Sequence, residues 1–445
     1  MSQDPGASPA EEAALHHLLA AGTVDPVFQR IADVATGTVV GVEALARGPV
    51  DGPLRRPDRM FAVARAVGRL GDLDELCRRR AVEVAAAAGL AGPLGLFVNV
   101  EPLAAPTVLD PGPAAVALLD RGVRLVLELT ERDLTADPAR LLVFAEQARA
   151  HGFRIALDDV GADPASLALM PFLRPEIVKL DLSLVQGRDP REVAEIMSAV
   201  AAYAEQSDAV VLAEGVETAD HLATARGLGA TLVQGWHVGL PAPAEHLAGL
   251  APPWRPPVLR RPVAEAVARS PFATVARVRT PRRASKALLV AVSRHLERQA
   301  AEQGELAVVL AAYEDAVNLT PASRRRYRAL AASAAFVGVV GRGVEAEPEP
   351  GVRGADLVPD DPVHGEWDVV VVGPHFAAAL VARDLEPHAD PTDPTREFDY
   401  VLTHDRPMVL EVARSLMARV VPRSASPASG ASSSASVRVP SGVRR

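Results

Sequence analysis

Seven short apolar runs in the first 234 residues of the chain each carry a side chain that can bind a cation or move a proton. Glu43 closes Val-Val-Gly-Val-Glu, Asn99 closes Leu-Phe-Val-Asn, and Glu128 closes Leu-Val-Leu-Glu. Asp158 and Asp159 close Ile-Ala-Leu-Asp-Asp, and Lys179 lies within Ile-Val-Lys-Leu-Asp. Glu214 follows Val-Val-Leu-Ala, and Gln234 follows Thr-Leu-Val. Carboxylates gathered in one place repel and lose hydration, so without a cation some must stay protonated. Oxygen donors of this kind suit a hard divalent ion such as magnesium or manganese. At a strand end, where in–out alternation breaks down, the adjacent acids Asp158 and Asp159 can share a site. One of them can bridge two ions while the other holds one. Paired ions stabilise both the attacking and the leaving oxygen of a phosphodiester displacement. A single strand-end acid is more simply a cap for the following helix. The whole set, on consecutive runs, is not.

Composition adds weight to two of these positions. Of 47 basic residues only Lys179 and Lys286 are lysine, and Asn99 and Asn318 are the only asparagines. A position that keeps Lys or Asn against such a bias is a candidate for chemistry. For Lys179 the competing role is an ordinary ion pair with Asp181. Its place inside an apolar run favours catalysis.

These residues need a scaffold that brings them together. Between about 25 and 241, short apolar runs alternate with Ala- and Leu-rich helical stretches such as 140–151, 190–204 and 219–228. That alternation predicts parallel strands covered by helices. At this length a closed (β/α)8 barrel leads, with a doubly wound open sheet as the alternative. In a barrel the C-terminal strand ends face one rim, and the polar residues converge there. A polar entry and short helix occupy 1–24, and the adjacent His16 and His17 cannot share a helix face. A Pro-rich linker spans 246–257. A smaller α/β unit follows over 258–421, and a Ser-, Ala- and Pro-rich tail over 422–445 is expected to be disordered. In the α/β unit, helices are expected at 285–303, 321–332, 376–384 and 408–419. Strands are expected at 306–310, 335–340, 368–372 and 398–402, and an exposed acidic loop at 345–362.

The net charge of −9 argues against a nucleic acid polymer as partner. It leaves room for a small anion held through metal ions. No apolar run reaches membrane-spanning length, so no membrane insertion is expected. The single cysteine, Cys77, excludes an intrachain disulfide framework and fits a reducing compartment, which places the chain in the cytoplasm.

Glu43-Ala44-Leu45-Ala46-Arg47 resembles the signature of the EAL family of cyclic di-GMP phosphodiesterases. The other family landmarks follow in order: Val98-Asn99-Val100, Glu128-Leu129-Thr130-Glu131, Asp158-Asp159-Val160-Gly161, Lys179-Leu180-Asp181, Glu214-Gly215-Val216-Glu217 and Gln234-Gly235-Trp236. The resemblance implies a modified (β/α)8 TIM-like barrel, a homodimer formed through it, and two Mg2+ or Mn2+ ions. It implies Glu43, Asn99, Glu128 and Asp158 as ligands of the first ion, and Asp158 and Asp159 as ligands of the second. Glu214 resembles the carboxylate that activates the catalytic water, Lys179 the cation that orients it, and Gln234 a hydrogen-bonding neighbour. Arg47 and Gln29 resemble substrate-binding residues, and Glu131 and Glu217 resemble acids that support loops. The implied reaction opens cyclic di-GMP to linear pGpG.

Three departures stand out. Gln29-Arg30-Ile31 lacks the family's proline, Val160 replaces a phenylalanine, and 162–166 reads Ala-Asp-Pro-Ala-Ser where glycines are usual. Proline stiffens a segment that glycine would leave mobile. The alternative function is therefore a weak or inactive cyclic di-GMP receptor that signals through a protein partner. A barrel kept only as a scaffold is the third reading. The second unit resembles the DICT sensory domain through 367–374 (Trp-Asp-Val-Val-Val-Val-Gly-Pro), Ala382-Arg383-Asp384 and Phe398-Asp399-Tyr400 with Thr403. This implies regulation of the barrel by an unknown sensory ligand or protein partner.

Overall fold

The computed structural model describes residues 7–104, 106, 108–130, 134–247, 250, 269–386, 390 and 392–420. Most of the expected linker, the whole of the expected tail and Glu131 lie outside the described residues.

The chain opens with α1 (Pro9–Ala21), begun by a capping box in which Ser8 and Glu11 satisfy each other's backbone and ended by left-handed Gly22. Its Leu15 and Leu18 are buried with Met60 and Leu73, so this helix packs onto the first domain. His16 and His17 are exposed. Then come β1 (Asp25–Asp33), β2 (Val39–Arg47), α2 (Pro57–Ala66), α3 (Leu70–Ala87) and β3 (Gly95–Val100). They are followed by α4 (Gly112–Asp120), β4 (Arg124–Thr130), α5 (Pro138–Ala150), β5 (Arg154–Val160), α6 (Pro164–Leu173) and β6 (Ile177–Leu180). The domain ends with α7 (Leu182–Gln186), α8 (Pro190–Ser207), β7 (Val210–Ala213), α9 (Ala219–Gly227) and β8 (Leu232–Gln234). The eight strands close into a barrel in sequence order.

One expectation is corrected here. β1 was not among the expected strands, and the barrel is not wholly parallel: β1 runs antiparallel to both β2 and β8. The cause is local. Asp33 accepts hydrogen bonds from the backbone N–H groups of Ala35 and Thr36, turning the chain tightly so that β1 and β2 pair as a hairpin. From β2 onward all pairs are parallel, so those C-terminal ends share one mouth.

The barrel interior is plugged by a layer containing Ile31, Phe97, Val126, Ala156, Ile177, Leu212 and Leu232. Strand side chains alternate with period two. The residues two positions from these are Gln29, Asn99, Glu128, Asp158, Lys179, Glu214 and Gln234. The same alternation that fills the plug therefore sets the polar set above it. Gly41 on β2 makes room: a Cβ there would lie 2.9 Å from the Gly95 carbonyl oxygen and 3.1 Å from the Phe97 ring.

The second domain comprises α10 (Pro271–Ala276), β9 (Arg282–Ser285), α11 (Lys286–Gln303), β10 (Val308–Asp315), α12 (Pro321–Ala331) and β11 (Phe336–Arg342). It is completed by β12 (Arg353–Asp356), β13 (Glu366–Val372), β14 (Ala377–Asp384), β15 (Glu397–Thr403) and α13 (Arg406–Met417). Its seven-stranded sheet has the order β12-β11-β10-β13-β14-β15-β9. Residues from α11 and α12 cover one face. Those of α10 and α13 cover the other, in a buried cluster continuous with the barrel helices.

Two further expectations are corrected. The stretch 376–384, expected as a helix for its alanines, is β14, paired with β13 and β15. It is buried on both faces from Ala377 to Ala382, where small side chains let the flanking helices approach and where no alternation marks a strand. The loop expected at 345–362 contains β12, which pairs with β11 and buries Arg353, Gly354 and Ala355.

Candidate active site

Lys179 sits at the centre of the barrel mouth, with no solvent exposure. Its Nζ is 2.7 Å from Glu128 Oε1, 2.8 Å from Asp158 Oδ1, 2.7 Å from Glu214 Oε1 and 3.7 Å from Glu43 Oε2. Burial alone would drive the ammonium to lose its proton, but the carboxylates of Asp158, Glu128, Glu214 and Glu43 outweigh it and hold the pKa well above the usual range. The alternative pairing with Asp181 does not form. Asp181 instead caps α7, accepting from the Ser183 backbone N–H at 2.9 Å.

The acids differ in environment. Glu128 is fully buried, and desolvation plus the nearby Glu43 push its carboxyl well above the usual range. Burial also raises Glu43, but the Lys179 charge and hydrogen bonds from Gln234 and Asn99 prevail and lower it. Those bonds are Gln234 Nε2 to Glu43 Oε2 at 2.6 Å and Asn99 Nδ2 to Glu43 Oε1 at 2.9 Å. Glu214 is more exposed than Glu43, Glu128 and Asp158, its side chain 19% exposed, yet desolvation moves its pKa to about 8. Gln29 joins from β1 by accepting from Gln234 Nε2 at 3.2 Å.

The backbone at Asp158-Asp159 explains how two adjacent acids face one site. Pairing of β5 with β6 slips between Leu157 and Val160, and Asp159 adopts a left-handed φ of 55°. A residue without the glycine exemption holds that conformation only where surrounding structure compensates, commonly at functional sites. The result is that Asp158, Asp159 and Glu214 each offer an oxygen, all within 4.8 Å of one another. Deeper in the mouth, Glu128 Oε2 and Gln234 Oε1 are buried without a hydrogen-bond donor, while Glu128 Oε1 and Asp158 Oδ1 meet only the Lys179 ammonium. Converging orphaned oxygens of this kind fit hard divalent cations.

Of the remaining expected residues, Arg47 lies at the end of β2, where Nη1 donates to the Ala46 carbonyl at 2.8 Å. It lines a neighbouring cavity of about 200 Å³ together with Asn99. Glu217 is exposed, and its carboxylate makes no hydrogen bond or ion pair among the described residues. Two residues that sequence reasoning missed line that cavity. Asp74 on α3 accepts from the Glu101 backbone N–H at 2.9 Å and pairs with Arg78 at 2.6 Å, while burial lifts its carboxyl to about 6. The only signal was an Asp–Arg pair four residues apart on a helix.

A barrel mouth ringed by acids, with a buried ammonium among them, is an arrangement that can hold hard divalent cations at the working end of a barrel. The chain belongs to the EAL domain family, whose model matches residues 12–241. A second match, to the DICT domain (Sensory domain in DIguanylate Cyclases and Two-component system), covers 271–385. Similar proteins include an uncharacterized signaling protein of Caulobacter vibrioides, 34% identical over 49% of this chain and 28% of its own length. The cyclic di-GMP phosphodiesterase NbdA of Pseudomonas aeruginosa is 33% identical over 48% of this chain and 28% of its own length. The probable cyclic di-GMP phosphodiesterase PdeB of Escherichia coli is 30% identical over 49% and 42%. The chain thus spans less than half the length of these relatives. Among solved structures, the PaMucR phosphodiesterase in complex with c-di-GMP is 28% identical, with a TM-score of 0.45 over 53% of this chain and 99% of that one. No helix among the described residues is long and apolar enough to cross a membrane.

Proposed function

We propose that the barrel hydrolyses cyclic di-GMP to linear pGpG with the aid of two Mg2+ or Mn2+ ions. The observation that carries this reading is the convergence of Asp158, Asp159 and Glu214 oxygens within 4.8 Å, above the buried, donor-less Oε2 of Glu128. Glu43, Asn99, Glu128 and Asp158 would hold one ion, and Asp158 with Asp159 the other. When bound, such ions neutralise the phosphodiester and lower the pKa of water. The remaining work falls to the chain. Glu214, with a part-exposed side chain, accepts the proton of the attacking water. Lys179 stabilises charge that develops at the phosphate. Gln234 and Asn99 orient Glu43 from both sides. Arg47 and Gln29, at the rim, engage the nucleotide.

Purified protein incubated with cyclic di-GMP and either ion should release pGpG, and Glu43→Ala should abolish release. A full chain that binds the dinucleotide without turnover would instead establish the receptor reading. The 162–166 segment favours that second reading: α6 begins at Pro164, five residues beyond Asp159. A homodimer formed through the barrel and a cytoplasmic setting belong to the same proposal. Light scattering at active concentration tests the dimer.

Regulation by the second domain is part of this reading. Support comes from Arg414 on α13, which donates to the Phe172 carbonyl near the end of α6 and pairs with Glu146 on α5 at 2.8 Å. α6 starts next to the metal-type acids, so a shift of α13 is carried along one helix toward them.

A further inference from the structure

A second cavity lies in the C-terminal domain, between α11 and the sheet. Its volume is about 420 Å³, the size of sites that hold small organic molecules. Its floor is aromatic: Trp367 and Phe398 meet edge to face, with centroids 5.7 Å apart. On the same face of β13, Val369 and Val371 are completely buried, whereas Trp367 stays half-buried. The cavity therefore leaves indole surface without protein cover, where a flat apolar partner would gain from contact.

The walls carry unspent polar groups. Ser293 of α11 is buried, yet its Oγ has no hydrogen-bond partner. A helical serine ordinarily bonds back to the preceding turn, and leaving a buried hydroxyl unpaired is costly. The Asn318 carboxamide, across the cavity, makes no hydrogen bond among the described residues. Two lining acids are already neutralised: Glu297 pairs with Arg326 at 2.6 Å, and Asp384 pairs with Arg396. Arg294, exposed at the rim, makes no ion pair or hydrogen bond among the described residues. The lining holds four cations (Lys286, Arg294, Arg326 and Arg396) and four acids (Glu297, Glu314, Glu366 and Asp384), and Arg294 is the one at the rim that no acid among the described residues engages.

The chain's two lysines and two asparagines lie at two of its sites. Lys179 and Asn99 stand in the barrel mouth, and Lys286 and Asn318 line this one.

We propose that this cavity is a binding site for a small planar aromatic molecule bearing a carboxylate or a phosphate. The ring lies against Trp367 and Phe398. Ser293 and Asn318 bond a polar substituent, and Arg294 receives the anion. The proposal is independent of whether the barrel turns over its substrate.

Calorimetric titration of the full chain with three probes tests it: 1-naphthoate, 1-naphthyl phosphate and the uncharged 1-naphthalenemethanol. At least one anion should bind with a Kd below about 1 mM, and the alcohol about tenfold more weakly or not at all. Which anion binds better separates the carboxylate from the phosphate source. Arg294→Ala, at an exposed position that does not threaten folding, should weaken the anion about tenfold. Ser293→Leu should block it, with circular dichroism confirming the fold. Failure of both anions to bind, equal binding of the alcohol, or unchanged affinity in Arg294→Ala would each overturn the proposal.

Discussion

Lys179 Nζ lies 2.7 Å from Glu214 Oε1, at the boundary between the dry floor of the barrel and its open mouth. The ammonium touches Glu128 and Asp158 at similar distance, so it is the positive charge shared by acids that would otherwise repel. Removing one partner of a buried charge network costs about 3–5 kcal/mol, because the others lose their compensation. Lys179→Met should therefore lower the stability of the metal-free barrel by that order at neutral pH. Added magnesium or manganese should restore part of it, since cations can replace the lost charge. Thermal melts with chelator and with each ion check this. An unchanged midpoint in chelator would remove the central role given to Lys179.

Gly215 follows Glu214 with a left-handed φ of 63°, and a Cβ there would lie 2.6 Å from the Cβ of Leu182. Its carbonyl accepts from Gln186 Nε2 at 2.9 Å, which ties the β7 end to α7. Gly215→Ala must move one of these segments and so displace Glu214. Stability should fall by about 1–3 kcal/mol from backbone strain. Turnover should fall more than tenfold, a larger loss than the folded fraction explains. Denaturant melts set against initial rates at saturating cyclic di-GMP separate the two effects.

The barrel mouth was legible in the sequence because chemistry and periodicity coincide there. Glu128, Asp158 and Glu214 each stand two residues beyond a buried plug residue, and two-residue alternation is visible without a structure. The convergence of Asp158 with Asp159 was legible too, as a strand end; the bulge supplies its geometry. β14 was not legible. Its alanines favour a helix locally, and only the neighbours on both sides make it a strand. β1 was missed because its burial mixes exposed, half-buried and buried positions without clean alternation. The contribution of Asp74 and Arg78 to the rim was invisible for a third reason: long-range packing of α3 against the barrel decides what an ordinary helical ion pair lines.

Glu366 and Asp368 on β13 face α10 and α13, and both are almost wholly buried. Burial lifts Glu366 to about 7, and burial with the neighbouring Glu366 lifts Asp368 well above its usual range. Both groups hold protons more tightly folded than unfolded. The stabilising contribution of Glu366 is complete below about pH 4 and is lost as pH rises through about 7, and that of Asp368 is lost in the same direction. The Glu366→Gln/Asp368→Asn variant keeps an acceptor for the Phe272 backbone N–H, which Glu366 now bonds at 2.9 Å. Between pH 5 and pH 8 it should lose about 2 kcal/mol less stability than the parent chain. Denaturant titrations at both pH values measure the difference; parallel losses would contradict it.

The domain junction yields the last prediction. Arg414 is buried, and burial with the nearby Arg174 brings its pKa down to about 10 despite the Glu146 contact. Arg353 on β12 reaches the barrel as well, donating to the carbonyls of Thr135 and Ala136 at 3.0 and 2.9 Å. These guanidinium groups satisfy loop and helix-end carbonyls that no other described residue reaches from the second domain. A hydrogen bond to a charged group contributes about 1.5–3 kcal/mol. Arg414→Ala with Arg353→Ala should therefore weaken docking by several such bonds while leaving each core intact. Scanning calorimetry should resolve two transitions, with the lower midpoint shifted down, where the parent chain melts as a more cooperative unit. If α6 relays the state of the second domain, the same variant should also change the turnover of cyclic di-GMP without altering the metal dependence. A variant with split melting but parental turnover would confine the junction to a structural role.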